Sequence, residues 1–365
     1  SGRSRWQPCT DWLTDGKSTP VGAVSAPLPE IPPHFARHNS RNNRLLLAAL
    51  AQIRPAVDSA LARYGAARIG IIMGTSNSGI DEGGLAIARH RADGVFPEGY
   101  FYQQQELGDP AAFLGAYLGT EGPCYTISTA CSSSSRAIIS ARRLISAGVV
   151  DAVIAGGADA LCRMTLNGFH SLEALSLTGC RPFAANRDGI TIGEAAALVL
   201  LSREPAPVAL LGTGESSDAY HASAPHPDGI GAEAAMRQAL DDARLAPGDI
   251  GYINFHGTGT PLNDSMESIA THRIFGTGVP CSSTKHLTGH TLGTCGVTEA
   301  ALCHLLLTDP GVPLPPQDFS QGERDATLAP VALVDTPGQA LGKPRILSNS
   351  FAFGGNNACL LIGAA

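Results

Sequence analysis

Apolar positions fall into two alternating kinds of run along this chain. Between Arg44 and Tyr64 they recur at helical spacing, and Arg68–Met73 follows as a short run rich in β-branched residues that closes in the glycine-rich turn GTSNSG. A helix and then a buried strand are predicted. The alternation continues with a glutamine-rich helical region over Gln103–Leu118, a strand at Cys124–Ser128, a helix from Ser132 to Ala147 and a strand at Ala152–Gly156. Strands at Ala196–Leu201 and Ala206–Thr213, a helix over Gly231–Asp242, a strand at Tyr252–Phe255, a helix over Asn263–Phe275 and a last strand at Ala358–Ile362 complete the pattern. Residues 1–45 are rich in Pro, Arg and Ser and lack a period, so they read as an extended segment with one short strand at Val21–Val24. Such alternation predicts an α/β protein with mixed sheets covered by helices. The turn at Arg203–Pro207 is the expected seam between two halves, 1–205 and 206–365.

Composition narrows the function. The 365 residues exceed one minimal core, and 44% hydrophobic residues with 42 glycines describe tightly packed elements. The net charge is −7 with no Lys/Arg block, so nucleic acid is not an expected partner. No uninterrupted apolar run reaches the ~18 residues of a membrane span, and SGRSRWQPCTDW has no apolar signal core. Membrane insertion is not expected, and the cytoplasm is the expected compartment. Nine cysteines without a C-x-x-C pair read as reduced thiols, mostly small core residues, among which one nucleophile is to be found.

The segment CYTISTACSSSSRAIISARR sets Cys131 between a β-rich run and a helix, at a helix N-terminus that favours thiolate, with small neighbours leaving room for a substrate. A buried structural cysteine is the competing reading. Two further runs weigh against it. NFHGTGTPLND places His256 after a short apolar strand and then turns through Gly257 and Gly259, while CSSTKHLTGHTLGTCGVTEA carries Lys285 and His290 in a similar context. His286 and His290 lie four apart, but Gly289 and the missing H-E-x-x-H carboxylate argue against a metal site.

Taken together, TACSSS, HGTGTPLND, STKHLTGHTLG, NSFAFGGNN and RPFAANRDGITIGEAA resemble, in order and separation, the motifs of the β-ketoacyl-acyl-carrier-protein synthases, the elongating condensing enzymes of Cys-His-His type. The resemblance covers nearly the whole chain. It departs at Ala195, where the family commonly has glycine, and at Cys295, where alanine is frequent; neither position is expected to touch the chemistry. About 25–30 family residues have no counterpart before the start of this sequence. GTSNSGI and YQQQELGDP are similar to the branch that acts on aryl-polyene and other polyene pigments.

The resemblance implies a thiolase-like five-layered αβαβα sandwich of two similar halves, the first carrying the nucleophile and the second the histidines and lysine. It also implies an acyltransferase that takes an acyl group onto Cys131 and then joins it to malonyl-acyl carrier protein by decarboxylative Claisen condensation. The implied roles give the backbone N–H groups of Cys131 and Phe353 the oxyanion, His256 and His290 the enolate, Phe351 a gating place, and Lys285 an ordering place beside Glu299. Asp264 and Glu267 are expected to brace the first histidine loop. No cofactor or metal is implied, since substrates ride on the phosphopantetheine of acyl carrier protein. The chain is expected to act as a homodimer, or as a heterodimer with a related synthase-like or chain-length-factor subunit. A non-catalytic chain-length factor is the alternative, and such partners lack the cysteine. A thiolase is the other, and it would need a second cysteine as base; Cys359 sits in an apolar ACLLI run and reads as core. Iodoacetamide is expected to label Cys131 before the other cysteines.

Overall fold

The computed structural model describes residues 6–365, so residues 1–5 of the extended segment lie outside the described residues. A short hairpin of β1 (Gln7–Cys9) and β2 (Thr19–Val21) opens the described chain, two residues earlier than the strand expected at Val21–Val24. Helix α1 (Arg41–Tyr64) is capped by Ser40, whose side chain accepts from the Asn43 N–H. It has the length and mean hydropathy of a membrane-crossing helix. Its face of Leu45, Leu46, Leu50 and Val57 is instead buried in the protein core.

The first sheet has the order β4-β3-β5-β6, from β3 (Ile69–Gly74), β4 (Cys124–Ile127), β5 (Ala152–Asp159) and β6 (Ala195–Ser202). Between these strands run α2 (Ile80–Asp93), α3 (Asp109–Leu118), α4 (Ser133–Ser146) and α5 (Arg163–Ser171). The second sheet collects β7 (Val208–Ser217), β8 (Tyr252–Asn254), β9 (Pro280–Ser282), β10 (Ala332–Leu333), β11 (Arg345–Ala352) and β12 (Asn356–Ala364) in the order β10-β9-β8-β11-β12-β7. Its helices are α6 (Ile230–Ala243), α7 (Pro261–Phe275), the single turn α8 (Lys285–Thr288) and α9 (Cys295–Thr308).

Three apolar layers hold the sheets together, and strand periodicity assigns each side chain to one of them. Ile72, Val153, Ala155, Ala358 and Leu360 point inward to the faces of α4 and α9, around Ile138, Ala141, Val297 and Ala300. Their neighbours Ile71, Met73 and Ile154 point outward to α1 and α3. Cys359 and Leu361 point outward on the other side, where Ala235, Met236 and Met266 of α6 and α7 lie. The result is helix, sheet, helix, sheet, helix, a thiolase-like αβαβα sandwich. Strands buried on both faces need no polar alternation, which is why they read as continuous apolar runs.

Several elements differ from the sequence reading for local reasons. The helical region over Gln103–Leu118 breaks into a 3-10 turn at Tyr102–Gln105 and α3, because Pro110 suits only the first turn of a helix. Helix α2 is missing from the sequence reading, hidden by its Gly83–Gly84 pair, and α5 was not anticipated either. Strand β11, which the sequence pattern does not predict, carries Ser348, Asn349 and Ser350, yet these polar residues are buried. They are tolerated because Asn349 Nδ2 donates to Glu267 at 3.1 Å and the Ser350 hydroxyl pairs with Ser135 at 2.8 Å.

The contact that fixes the start of α4 is a close backbone approach. A Cβ on Gly74 would meet Ser134 N at 2.4 Å and Ser133 C at 2.5 Å, both backbone atoms. Gly74→Ala is therefore expected to push the start of α4 off the sheet, costing about 1–3 kcal/mol as overpacking does. Urea denaturation of the two proteins measures it.

Candidate active site

Cys131 stands where β4 gives way to α4. The preceding Ala130 has φ of 49°, the left-handed region that alanine rarely adopts, so the chain turns sharply there. Ser133 holds the turn: its hydroxyl donates to Ala130 O at 2.6 Å and accepts from Thr129 N at 2.9 Å. The sulfur lies 3.0 Å from His290 Nε2. Burial pushes the Cys131 thiol up to about 11, against the pull of the Lys285 charge and of the Phe353 and Cys131 N–H groups. The helix N-terminus therefore does not leave a resting thiolate. The group rests as a thiol whose proton faces an imidazole nitrogen.

His256 leaves the end of β8, and two carboxylates of α7 shape the turn behind it. Glu267 accepts from the N–H of His256 at 2.8 Å and of Gly257 at 2.7 Å. Asp264 accepts from the N–H groups of Thr258, Gly259 and Phe183 at 3.1, 3.2 and 2.8 Å. Burial pushes Glu267 up to about 7 despite these donors. Gly257 is required here, since its φ is +34° and a Cβ would come within 2.5 Å of Ser283.

Lys285, fully buried at the start of α8, places its Nζ 2.5 Å from Glu299 Oε1 and 3.3 Å from His256 Nδ1. Burial alone would lower its pKa, but the Glu299 carboxylate outweighs burial and holds the ammonium. An ammonium donates and cannot accept, so His256 Nδ1 is the acceptor and the ring proton sits on Nε2. Burial first, and then the Lys285 charge, hold His256 and His290 well below the usual histidine range. Both rings are neutral, edge to face with centroids 5.3 Å apart.

The fourth wall comes from the turn between β11 and β12. Gly354 and Gly355 have φ of 78° and 73°, and this left-handed pair brings the Phe353 N–H to the Cys131 sulfur. Phe351 lies 6.3 Å from the His256 ring, and Phe353 packs against Phe169 at 5.5 Å. Cys131, His256, His290 and Phe353 close the end of a cavity of about 240 Å³, which Leu172, Thr258, Thr260 and Leu262 also line. The structure thus brings Cys131, His256, His290, Lys285, Glu299, Phe351 and Phe353 to one site and sets Asp264 and Glu267 behind it.

Some participants escaped the sequence reading. Thr258 and Thr260 line the cavity from inside HGTGTPLND, where the neighbouring histidine is the stronger signal. Cys295, not expected to touch the chemistry, lies with its Sγ 3.1 Å from Cys131 O, because α9 starts directly beneath Cys131. The expectation that Cys131 is alkylated first meets an obstacle in this chain alone: Cys131 is buried, whereas Cys124 is exposed on β4. His286 does not pair with His290, as its Nδ1 lies 3.0 Å from Ser283 O. The donor atoms of Cys131, His256 and His290 lie within 4.8 Å of one another, a spacing within reach of a thiophilic ion. The Lys285 ammonium against His256 opposes a second cation there.

Comparison with known proteins agrees with this geometry. Residues 14–206 match the family described as beta-ketoacyl synthase, N-terminal domain, and residues 208–316 match beta-ketoacyl synthase, C-terminal domain. The chain is 34% identical to 3-oxoacyl-[acyl-carrier-protein] synthase 2 of Staphylococcus aureus, over 88% of this chain and 82% of the relative. Among solved structures it superimposes on the ketosynthase ApeO, in complex with its chain length factor ApeC, from Xenorhabdus doucetiae. The TM-score is 0.96 at 58% identity, covering 99% of this chain and 90% of that one. A beta-ketoacyl synthase from Burkholderia phymatum gives a TM-score of 0.88 at 29% identity, covering 100% and 93%. A buried thiol, two neutral imidazoles and a glycine turn aimed at one sulfur are the equipment of acyl condensation, and by sequence and fold this chain belongs to the β-ketoacyl synthases, the condensing acyltransferases.

Proposed function

We propose that Cys131 accepts an acyl group from the phosphopantetheine of acyl carrier protein and that the two histidines divide the chemistry that follows. The observation that carries this reading is the 3.0 Å approach of His290 Nε2 to the Cys131 sulfur. In the first half-reaction the thiol proton moves to His290 and the sulfur attacks the thioester carbonyl. The oxyanion accepts from the N–H groups of Cys131 and Phe353. The tetrahedral adduct then expels the pantetheine sulfur, which takes a proton back from His290.

In the second half-reaction malonyl-acyl carrier protein loses CO₂, and the electron pair of the broken bond passes into an enolate. His256, its Nδ1 committed to Lys285, presents Nε2–H to the enolate oxygen without bringing a formal charge. The enolate carbon attacks the acyl carbonyl, and the Cys131 sulfur leaves as thiolate and takes up a proton from solvent, which balances the negative charge left when the malonyl carboxylate departs as neutral CO₂. The reaction asks for no cofactor or metal. Lys285 and Glu299 order the site, and Asp264 and Glu267 brace the His256 turn.

The partner is proposed to be a related chain-length-factor subunit. Strand β4 is a sheet edge, and exposed apolar side chains cluster around it in sequence at Phe96, Tyr102, Leu107 and Tyr125. An uncovered edge with such neighbours calls for a second chain. The pairing of the 58% identical ketosynthase with its chain length factor supports that choice over a homodimer. The polyene-like stretches GTSNSGI and YQQQELGDP support a growing polyene as the acyl substrate, and dependence on a carrier protein supports a cytoplasmic site of action.

Wild-type protein incubated with acyl-carrier protein is expected to carry one acyl adduct on Cys131 by peptide mass spectrometry, and Cys131→Ala none; an adduct on another cysteine contradicts the reading. Nitrogen-15 spectra of histidine-labelled protein at pH 6 are expected to show both buried rings neutral, with His256 protonated on Nε2. Tyr125→Asp should dissociate the complex formed on co-expression with a chain-length-factor-like subunit, as read by light scattering.

A further inference from the structure

The turn GTSNSG and the last residue of β5 meet in a contact that the chemistry above does not use. Asp159 is fully buried and, among the described residues, pairs with no cation. Its Oδ1 accepts from Ser76 N at 2.7 Å, Asn77 N at 2.7 Å and the Thr75 hydroxyl at 2.9 Å. Its Oδ2 accepts from Thr294 N at 3.0 Å and the Thr294 hydroxyl at 3.2 Å. One carboxylate therefore ties β5, the turn after β3 and the loop that joins His290 to α9.

That loop is held tight at both ends. At its start His290 N donates to Thr191 O at 2.6 Å and His290 O accepts from Gly193 N at 3.0 Å. At its finish Thr294 hangs from Asp159, and the next residue, Cys295, contacts Cys131 O. Between them Leu292 has φ of 53°, a left-handed conformation that costs energy unless the surroundings impose it. Gly293 lies flat against the anchor: a Cβ there would meet Ser76 N at 2.8 Å and Asp159 Oδ2 at 2.9 Å.

We propose that Asp159 is a positioning residue for the condensation, holding the loop of residues 291–294 so that His290 meets the Cys131 sulfur. It rests on the reading of Cys131 and His290 as the reacting pair. The carboxylate suits the task because both of its oxygens accept, and five donors face it from two sides. An amide of the same size does not. Its oxygen satisfies the three donors of Thr75–Asn77 only by turning its NH₂ toward the Thr294 N–H, which loses its acceptor. Burial pushes Asp159 up to about 6 even with these donors. Its charge is felt by the Cys131 and Cys295 thiols, both of which it raises.

Two variants test the anchor from opposite sides. Asp159→Asn alters the acceptor, and Gly293→Ala leaves the carboxylate intact while forcing the loop away from it. Both are expected to lower kcat for the overall condensation of acyl- with malonyl-carrier protein, through slower acylation of Cys131, by about 10- to 100-fold, as small misplacements of a reacting group do, with KM within about twofold. Gly293→Ala, which keeps the carboxylate charge that raises the Cys131 thiol, should also move the pH profile for iodoacetamide alkylation of Cys131, followed on its own peptide, to higher pH, because the sulfur has lost its imidazole neighbour. A purely structural carboxylate would leave that profile where it is. Wild-type kcat in both variants, a kcat loss with an unmoved alkylation profile in Gly293→Ala, or failure of both to fold would overturn the proposal. Wild-type protein that neither loads acyl groups on Cys131 nor releases CO₂ would instead overturn the reading on which it rests.

Discussion

A buried ammonium organises this site. Lys285 is fully enclosed, and its charge is sustainable there because Glu299 stands 2.5 Å away. An unpaired buried charge would cost several kcal/mol, so lysine and glutamate must be brought together if the chain is to fold around them. Once in place, the ammonium fixes the proton on one nitrogen of His256, adds to burial in holding both imidazoles neutral and draws the nearby thiol toward ionisation. These consequences suit the proposed chemistry: a neutral imidazole donates a hydrogen bond to an enolate yet is too weak an acid to protonate it.

The sandwich exists to bring such groups to one point. Helices α4 and α9 lie side by side in the central layer with their N-termini together, so that Val297 N reaches Ser134 Oγ at 3.0 Å and Cys295 reaches the carbonyl of Cys131. Each sheet then delivers its contribution from a strand end: Cys131 after β4, His256 after β8, the Phe353 N–H after β11. Loops at strand ends are free to carry function because the sheets beneath them are rigid. Here the loops are made rigid too, by buried carboxylates that accept from backbone N–H groups. Glu267 and Asp264 do this for the His256 turn, and Asp159 does it for the residues that follow His290.

Much of this was legible in the chain. Uninterrupted apolar runs gave β3, β5 and β12, because strands covered on both faces need no polar residue. The motif residues Cys131, His256, Lys285 and His290 announced themselves by small, glycine-rich surroundings. What misled was polarity inside the core. Strand β11 escapes a hydrophobic pattern because Ser348, Asn349 and Ser350 are polar, and only tertiary partners, Ser135 in the central layer for Ser350 and Glu267 in the outer one for Asn349, explain why they are buried. Likewise Cys295 reads as uninvolved in the chemistry and Asp159 as unremarkable, since neither has a sequence neighbour that reveals what it touches.

By itself the sequence determined the class of fold, the order of most elements and the residues that gather at the candidate site, all of which depend on local pattern and residue chemistry. Tertiary structure alone decided how those groups behave. Cys131 and His290 are 159 positions apart and meet at 3.0 Å. The thiol rests protonated despite its helix N-terminus because burial, a property of the whole packed molecule, outweighs a local dipole. Proton placement on His256 is likewise set by a lysine 29 residues away, held there by a glutamate on another helix.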